Sequence, residues 1–490
     1  MQKREYIGIN FGTTNTAVVH FLNEEHGTKI THLGDEEGSY PFSSIVALPF
    51  GGGPIKFGRE VRNRRAELAE DHEIISSMKS YLGTNKEFFV GNNCYSATDI
   101  TTEYLKSVKS FIKEQHGVDI TEAGLAFPID FSSNARRELL RAAENAGINV
   151  TRFVSESTAA FFSCKNEQNF RNVMVLDWGG GTFDISILNV SESSACEIAV
   201  YGEDIGGDDI DLEFAKHVHL EIVNSSDFNS RTTIEDMKPK ERDLLIARCE
   251  RAKIDISDSD EDHDFTIVNY GEFGDKCLTI SAYVLDSIVE QIVNKKILRA
   301  IDIALGKAKL TAEAIDSVLI IGGCSNLSVY ETMVTSYFGT SKIILPRNPA
   351  WATAEGVAYM QVTKCGMMLS DTLGVMLCDK SILPIFEAKS DGVGSSFGPV
   401  NFSLVEDSQY ASFIFANKNS YVYDRVLVPT KGFLNEEIQL RAEIGVDQIA
   451  RIRIASTFMR NDITNPPKNV EISNLTFYYD FIREAEKAYE

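Results

Sequence analysis

The sequence predicts an α/β protein with a duplicated, two-lobed body followed by an all-β, sandwich-like domain. Two glycine-tipped hairpins of similar sequence lie about 165 residues apart, at residues 6–21 and 173–188. Strand and helix patterns alternate through about residue 363, which is typical of an α/β body. From about residue 370 the chain changes to short β-rich runs, so a domain of a different class begins there.

The two hairpins are the strongest local signal. Residues 6–21 run from an apolar strand into a polar tip at residues 12–15 and back into β-branched residues. Residues 173–188 repeat this arrangement around a tip at residues 179–182. One glycine hairpin alone is more often a plain turn. Two matched copies predict two similar lobes that face each other across a cleft.

Helical patterns fill the intervals around these hairpins. Polar capping residues at 132–134 mark the start of the helix predicted at 133–147. One strand late in the body opens into Gly322-Gly323. The predicted elements are helices at residues 101–117, 133–147, 239–256, 281–305 and 329–338 and a strand at 317–321.

A change of pattern marks the domain boundary near residues 365–369. Beyond it, runs such as residues 437–443 and 449–454 alternate apolar and polar side chains, as antiparallel strands with one buried face do. Only the last residues again suggest a helix. We therefore predict a two-lobed body at residues 1–364, a linker at 365–371, a β-rich domain at 372–479 and a short helix at 480–490.

Composition excludes several classes of partner. The formal charge of −23 argues against a nucleic-acid ligand, which requires concentrated lysine and arginine. No apolar run is long enough to cross a bilayer, and residues 1–4 lead into a strand rather than a signal-peptide core, which predicts a cytoplasmic protein without a membrane partner. Eight cysteines form no CxxC pair, and the acidic stretch at 255–264 lacks the glycine and glutamate of a calcium loop.

The hairpin tips carry the residue types that bind phosphate. Glycines let backbone N–H groups approach phosphate oxygens, and threonine hydroxyls add donors. Asp177 and Asp184 lie at the strand ends beside the second tip and are expected to hold Mg²⁺ through its water shell. The predicted phosphate-binding residues are Gly12, Thr13, Thr14 and Asn15 in the first tip and Gly179, Gly180, Gly181 and Thr182 in the second.

The order of motifs resembles the seventy-kilodalton heat-shock chaperones, within the actin and sugar-kinase superfamily of ribonuclease-H-like ATPases. The resemblance covers residues 5–363 and weakens to a shared β pattern beyond them. The motifs that carry it are Gly8–Thr16, Pro41–Val46, Phe57-Gly58, Met78–Gly83, Phe127–Phe131, Arg136-Arg137, Glu156–Ala160, Asp177–Asp184, Ile205–Asp209, Cys249–Ile254 and Ile321–Cys324.

This resemblance implies a role for each matching residue. Thr13 and Thr182 contact the terminal phosphate, and Lys79 places the attacking water and stabilises charge, with Glu156 and Asp177 orienting water and metal. Pro128 and Arg137 match a pair that relays nucleotide state. Each residue alone has an ordinary structural alternative, such as a surface lysine or a helix ion pair. The remaining implied nucleotide contacts are Gly206, Gly207, Glu250, Lys253, Ser257, Gly322 and Gly323.

The sequence departs from the family at the metal site. Asn10 stands where the family has aspartate, which removes a negative charge worth up to roughly 4 kcal/mol at about 4 Å. Asn10 can still hold a metal-bound water through its carbonyl oxygen, so we expect ATP binding with weak hydrolysis. Ser157 replaces a proline, Asn326 an arginine near the adenine, and Ala350-Trp351 an acidic pair.

The resemblance implies an ATP-binding chaperone that slowly hydrolyses ATP to ADP and phosphate while binding unfolded or extended peptide segments. A J-domain co-chaperone and a nucleotide exchange factor are the implied partners. Residues 480–490 would form about three helical turns, too few for a lid over a peptide cleft. One alternative is a nucleotide-gated scaffold or exchange-type co-chaperone with little turnover. A small-molecule kinase of the same superfamily is disfavoured by the β-rich domain.

Overall fold

The computed structural model describes residues 4–24, 27–35, 40–129, 131–164, 171–225, 233–458 and 466–481. Within these ranges the α/β body and the β-rich domain follow each other along the chain in the predicted order. None of the helices in these ranges is both long and apolar enough to cross a bilayer.

The first lobe is built on a sheet with strand order β11-β10-β1-β2-β3, to which β4 adds at β2. Its first two strands are antiparallel, and β10 and β11 follow in parallel beside β1. The strands are β1 Arg4–Phe11, β2 Asn15–Glu24, β3 Gly27–His32, β4 Phe42–Ser43, β5 Ile45–Pro49, β6 Lys56–Phe57, β7 His72–Ser76, β8 Glu87–Val90, β9 Asn93–Ser96, β10 Glu122–Phe127 and β11 Asn149–Ser155. The helices are α1 Arg59–Asn63, α2 Arg65–Leu68, α3 Ala97–His116, α4 Ser133–Asn145 and α5 Glu156–Cys164.

The second lobe repeats that topology with the order β18-β17-β12-β13-β14. Its hairpin is again antiparallel, and β17 and β18 again follow in parallel. The strands are β12 Asn172–Trp178, β13 Phe183–Val190, β14 Ser194–Glu203, β15 His263–Ile267, β16 Lys276–Ile280, β17 Ser317–Ile321 and β18 Ile343–Ile344. The helices are α6 Gly207–Asn224, α7 Pro239–Ser259, α8 Ala282–Ile292, α9 Leu298–Ala308, α10 Ser328–Phe338 and α11 Ala352–Val362.

The matching strand orders confirm the two-lobed body predicted from the hairpin repeat. One predicted helix differs in detail: the run at 281–305 is α8 and α9 joined by a π-helical turn at Val293–Ile297. Helices α5 and α11 cross between the lobes at very short range, because a Cβ on Gly356 would lie 1.7 Å from the Ala159 carbonyl oxygen. Only glycine allows this approach.

The C-terminal domain is a sandwich of two four-stranded antiparallel sheets, as predicted. One sheet has the order β21-β20-β23-β24 and the other β22-β25-β26-β27. Alternating burial along β25 and β26 reflects their alternating sequence. The strands are β20 Leu373–Met376, β21 Ile382–Phe386, β22 Ser396–Ser403, β23 Tyr410–Ala416, β24 Val422–Pro429, β25 Glu437–Ile444, β26 Ala450–Ser456 and β27 Lys468–Ile472.

Two further strands join the sandwich to the second lobe. Four residues of the predicted linker form β19 (Gly366–Leu369), and β28 (Phe477–Asp480) lies between β19 and β14 in the lobe's sheet. One apolar core therefore runs from α5 through β28 into the sandwich. The predicted helix at 480–490 differs at its start, where Asp480 ends β28, and residues 482–490 lie outside the described ranges.

Candidate functional site

The two hairpin tips face each other across the gap between the lobes. A Cβ on Gly180 would lie 2.1 Å from the Thr14 hydroxyl oxygen, and one on Gly181 would lie 3.1 Å from that of Thr13. In the first tip the Gly12 N–H donates to the Asn15 carbonyl at 3.0 Å, and the corresponding bond in the second joins Gly179 and Thr182 at 2.9 Å. Both tips are therefore tight turns that present backbone groups to one shared space.

That space is a cleft of about 630 Å³ between the lobes. Most of the residues selected from the sequence line it, although they come from distant parts of the chain. Three selected residues do not line the cleft: Gly181, Gly206 and Asp184. The selected residues that line it are Asn10, Gly12, Thr13, Thr14, Asn15, Lys79, Glu156, Asp177, Gly179, Gly180, Thr182, Gly207, Glu250, Lys253, Ser257, Gly322 and Gly323.

The floor of the cleft holds a buried lysine and two buried acids. The Lys79 ammonium donates to the Glu156 carboxylate, and Lys79 is only 3% exposed. Lys79 stands in a short 3-10 turn that follows Ser77, whose φ of 50° turns the chain inward after β7. Burial raises the pKa of Asp177 to about 7, the Glu156 charge adds to this, and Lys79 opposes it. A cation is therefore strongly favoured beside these acids.

Asn10 occupies in the first lobe the position that Asp177 occupies in the second. Each is the second-last residue of the strand before its tip. The Asn10 carbonyl oxygen Oδ1 is buried, and none of the described residues donates a hydrogen bond to it. Because a buried polar atom is normally satisfied, this oxygen marks a place for a ligand or water. Oxygen donors of this kind, beside Asp177, fit Mg²⁺ held through its water shell.

Asp184 is placed differently from the expectation that it faces the ion. Its carboxylate accepts from the Ile129 backbone N–H at 3.0 Å and from the Thr182 hydroxyl at 3.1 Å. The Thr182 bond orients a side chain of the second tip, and the Ile129 bond ties the second lobe to the loop after β10. The geometry therefore gives Asp184 a clear part in holding the tip, while its role toward a metal stays a prediction.

A buried ion pair forms the side of the cleft where the nucleoside contacts were predicted. The Lys253 ammonium lies 2.8 Å from a carboxylate oxygen of Asp211 and donates to the Gly207 carbonyl at 3.2 Å. Burial raises the pKa of Asp211 to about 7, against the lowering effect of Lys253. Asp211 was missed from the sequence, although its position one turn after Gly207 on α6 was a usable signal.

Side chains from opposite lobes meet at the rim. The Arg62 guanidinium on α1 donates to the Glu250 carboxylate on α7 at 2.7 Å. The Ser77 hydroxyl donates to Asp208 at 2.7 Å. Glu250 was selected as a nucleoside contact, and in this structure it also closes the rim. Arg62 was not selected, because a surface arginine in a short helix carries no local signal.

The structure also places the residues that depart from the family pattern. Asn326 and Ala350 line the cleft. Trp351 is buried and its ring stacks on His32 at 4.5 Å, so an aromatic pair fills this position. On the opposite side of the body, Arg137 pairs with Glu471 of β27, whereas Arg136 is buried against the Phe127 ring at 4.4 Å.

The arrangement suits the binding of a charged, phosphate-bearing ligand. Facing backbone N–H groups, threonine hydroxyls and the Lys79 and Lys253 ammonium groups supply positive potential, while acid and amide oxygens supply places for a hydrated cation. Within the described residues, no group of three or more histidine, cysteine or acidic side chains could form a closed metal cage.

Comparison with known proteins identifies the family of this chain. The profile of the Hsp70 protein family matches residues 72–385. The chain is 26% identical over 462 residues to the chaperone protein DnaK of Mycoplasmopsis agalactiae, covering 93% of this chain and 73% of that protein. It is 27% identical over 430 residues to the chaperone protein DnaK of Mycoplasmopsis pulmonis, covering 86% of this chain and 68% of that protein.

Proposed function

The chain belongs to the Hsp70 protein family, and from that membership we propose that it binds ATP, hydrolyses it slowly and binds unfolded or extended polypeptide segments. The observation that carries the proposal is the meeting of two glycine-threonine tips above the buried Lys79, Glu156 and Asp177. Hydrolysis of a phosphoanhydride needs positioning and charge neutralisation more than covalent chemistry. This set of groups supplies both.

In the proposed reaction the tips hold the phosphates by backbone N–H groups. The Thr13 hydroxyl donates to the terminal phosphate, and the Thr182 hydroxyl turns from Asp184 to do the same. The Lys79 ammonium turns from Glu156 toward the transferring phosphoryl group and neutralises its charge. The freed Glu156 carboxylate then accepts a hydrogen bond from the attacking water and orients it. Asp177 and Asn10 would hold hydrated Mg²⁺, which would supply positive charge beside the phosphates.

Replacing Asn10 with aspartate is expected to raise the single-turnover rate of ATP hydrolysis about tenfold or more. A restored charge beside Mg²⁺ contributes up to roughly 4 kcal/mol at an effective dielectric near 20. The added charge also repels Asp177, so we expect a lower melting temperature without Mg²⁺ and recovery with Mg-ATP. Quenched-flow hydrolysis measures the rate, thermal melting with and without Mg-ATP measures the stability, and calorimetric titration measures the Mg²⁺ affinity.

Asn93→Asp is the matched control, because it adds the same charge at the exposed first residue of β9. Its hydrolysis rate should equal that of the native protein. If Asn10→Asp leaves both the rate and the Mg²⁺ affinity unchanged, Asn10 does not limit hydrolysis.

Replacing Arg62 with alanine is expected to speed the release of ADP about fivefold. A partly buried ion pair contributes about 1 kcal/mol, and the Arg62–Glu250 pair joins the two lobes over the cleft. Stopped-flow displacement of a fluorescent ADP analogue gives the release rate. Arg64→Ala is the control, since Arg64 pairs with Glu60 and Glu67 on its own side of the cleft. Equal release rates in the two variants would remove the proposed role of Arg62.

Peptide binding is proposed for the end of the sandwich that points away from the body. Loops 404–409 and 430–436 meet there through backbone hydrogen bonds such as Leu404 N–H to Glu436 at 3.1 Å. Exposed apolar side chains gather on these loops and beside them, which favours contact with extended apolar segments. They are Val405, Tyr410, Phe433, Leu434 and Phe458.

One sample can test the whole proposal. Calorimetric titration with ATP, ADP and Mg²⁺ tests binding, a hydrolysis assay tests turnover, and release of a labelled unfolded peptide on adding ATP tests coupling. Binding and peptide release without turnover would favour a nucleotide-gated scaffold or exchange-type co-chaperone. No nucleotide binding at millimolar Mg²⁺ would contradict the proposal. A J-domain co-chaperone, a nucleotide exchange factor and a cytoplasmic location remain predictions that accompany it.

A further inference from the structure

The β domain is attached to the second lobe by two strands. Strand β19 enters the sandwich, and β28 returns from it to the lobe's sheet. β28 pairs with β14 on one side, where Ala195 faces Tyr479, and with β19 on the other, where Met367 faces Tyr479. The four residues of β28 thus form the connection between β19 and the body.

Strand β28 is held by its side chains as well as by its backbone. Phe477 and Tyr479 are fully buried. The Tyr479 ring packs edge-on against Phe162 of α5 at 5.4 Å between centroids. Removing β28 would expose this aromatic surface to water. The position of β28 between β14 and β19 is therefore strongly favoured.

One buried carboxylate holds β28 in place. Glu197, on β14, accepts hydrogen bonds from the Phe477 N–H at 2.9 Å, the Tyr479 hydroxyl at 3.0 Å and the Thr158 hydroxyl at 2.6 Å. Burial raises the pKa of Glu197, and these donors oppose that rise. Two of the three donors belong to β28, so its departure would leave a buried acid largely unsatisfied.

The third donor begins a chain of hydroxyl groups toward the cleft. The Thr158 hydroxyl gives its single proton to Glu197, so it accepts from Ser186 at 3.3 Å. Because the Ser186 hydroxyl donates its single proton to Thr158, it accepts a hydrogen bond from the Ser157 hydroxyl at 2.7 Å. Ser157 directly follows Glu156, the acid that pairs with Lys79 on the cleft floor. Hydrogen bonds therefore run from Ser157, the chain neighbour of Glu156 on the cleft floor, to β28.

We propose that β28 is a clasp that holds the β domain on the ATPase body, that Glu197 locks it, and that the Ser157–Ser186–Thr158 line couples its seating to nucleotide. The coupling rests on the proposed ATP binding. When Lys79 leaves Glu156 for a phosphate, the start of α5 shifts and Ser157 moves relative to Ser186. This movement changes the strength of the hydrogen bonds between Glu197 and β28. If ATP binding changes how strongly β28 stays paired with β14, the pairing of β28 must change ATP affinity by the same factor.

Hydrogen exchange of the full chain tests the clasp. We expect Glu197→Gln to speed amide exchange in residues 477–480 and 366–369 together by at least tenfold, since a glutamine cannot accept from all three donors. Glu192→Gln, on the exposed turn before β14, should leave exchange unchanged. Should Glu197→Gln unfold the protein, Tyr479→Phe keeps the buried ring and is expected to speed exchange two- to fivefold. If both variants fold and their amides in residues 477–480 and 366–369 exchange at the native rate, the proposal that β28 is a clasp is wrong.

The same measurement with Mg-ATP tests the coupling. We expect saturating Mg-ATP to change exchange in residues 477–480 at least fivefold in the native protein. Ser186→Ala should remove that response while keeping the calorimetric ATP Kd within threefold of the native value. ATP binding without any exchange response would overturn the coupling alone. Absence of ATP binding would overturn the coupling and the proposed function together, with the clasp still judged by Glu197→Gln.

Discussion

Replacing Lys79 with methionine is expected to lower the single-turnover rate of ATP hydrolysis at least 100-fold while weakening ATP binding less than tenfold. Methionine keeps the length and apolar stem of lysine but removes the charge that neutralises the transferring phosphoryl group. Preorganised charges of this kind typically contribute two or more orders of magnitude to the rate. Binding is spread over two tips, so one lost contact has a smaller effect on it.

The same substitution tests the electrostatics of the cleft floor. Lys79 is the charge that lowers the pKa of Asp177 in the native protein, so its loss raises that pKa further. An acid left without its buried cation typically costs about 3 kcal/mol of stability, so the variant should melt at a lower temperature. Mg-ATP should restore part of that loss, because the bound cation takes the place of the ammonium.

Lys86→Met is the control for Lys79→Met, because Lys86 is exposed and its ammonium lies 5.7 Å from the Phe88 ring. It should change neither rate nor melting temperature. Both variants should also be made in the Asn10→Asp background, where a faster rate leaves more room to measure a decrease. A Lys79→Met rate within tenfold of its parent in both backgrounds would show that this lysine does not stabilise the reacting group.

Replacing Gly206 with alanine is expected to weaken ATP binding at least 100-fold. A Cβ at this position would lie 2.3 Å from the Gly180 carbonyl carbon and oxygen and 2.4 Å from the Gly181 nitrogen. These are backbone atoms of the second tip, so the tip itself must shift. Gly206 has an extended backbone with φ of −148°, which alanine adopts readily, so the effect arises from this contact alone.

The tip cannot shift freely, which makes the expected effect large. The Gly207 N–H donates to Gly179 at 3.0 Å, and the Asp208 N–H donates to Gly180 at 2.7 Å, so the start of α6 and the tip are fixed to each other. Forcing one methyl group between them typically costs about 1–3 kcal/mol of stability. Calorimetric titration with Mg-ATP and thermal melting measure the two losses.

Gly306→Ala is the control for Gly206→Ala, because nothing lies near its Cβ position on the exposed face of α9. It should leave ATP affinity unchanged and stabilise the helix by up to about 1 kcal/mol. A folded Gly206→Ala protein with ATP affinity within threefold of native would show that the second tip does not hold the phosphates.

The parts of the site that the sequence predicted well are those set by short-range pattern. The Gly-Thr tips follow from local turn chemistry, and the two antiparallel hairpins fix which residues end beside them. Asn10 and Asp177 occupy matching positions because the two strands are copies of one arrangement. Their facing geometry required only that the two copies lie opposite each other.

Long-range pairings could not be predicted in the same way. Ala195 and Tyr479 are neighbours in a sheet although 284 positions separate them in the sequence, and four residues carry too weak a β pattern to identify a partner. The charged residues that follow favoured a helix at 480–490, whereas pairing with β14 and β19 makes Asp480 part of a strand. Arg62 was missed for a related reason, because the carboxylate that it contacts lies on another helix.

The return of β28 to the second lobe's sheet limits how this chain can be divided. A fragment that stops at residue 364 would lack both β19 and β28, leaving the outer edge of β14 with unpaired backbone groups. The apolar face of α5 around Phe162 would lose its cover at the same place. An open strand edge beside bare aromatic surface is the usual starting point for self-association and aggregation. The α/β body and the sandwich are consecutive in sequence but share a sheet, so we expect the isolated body to self-associate.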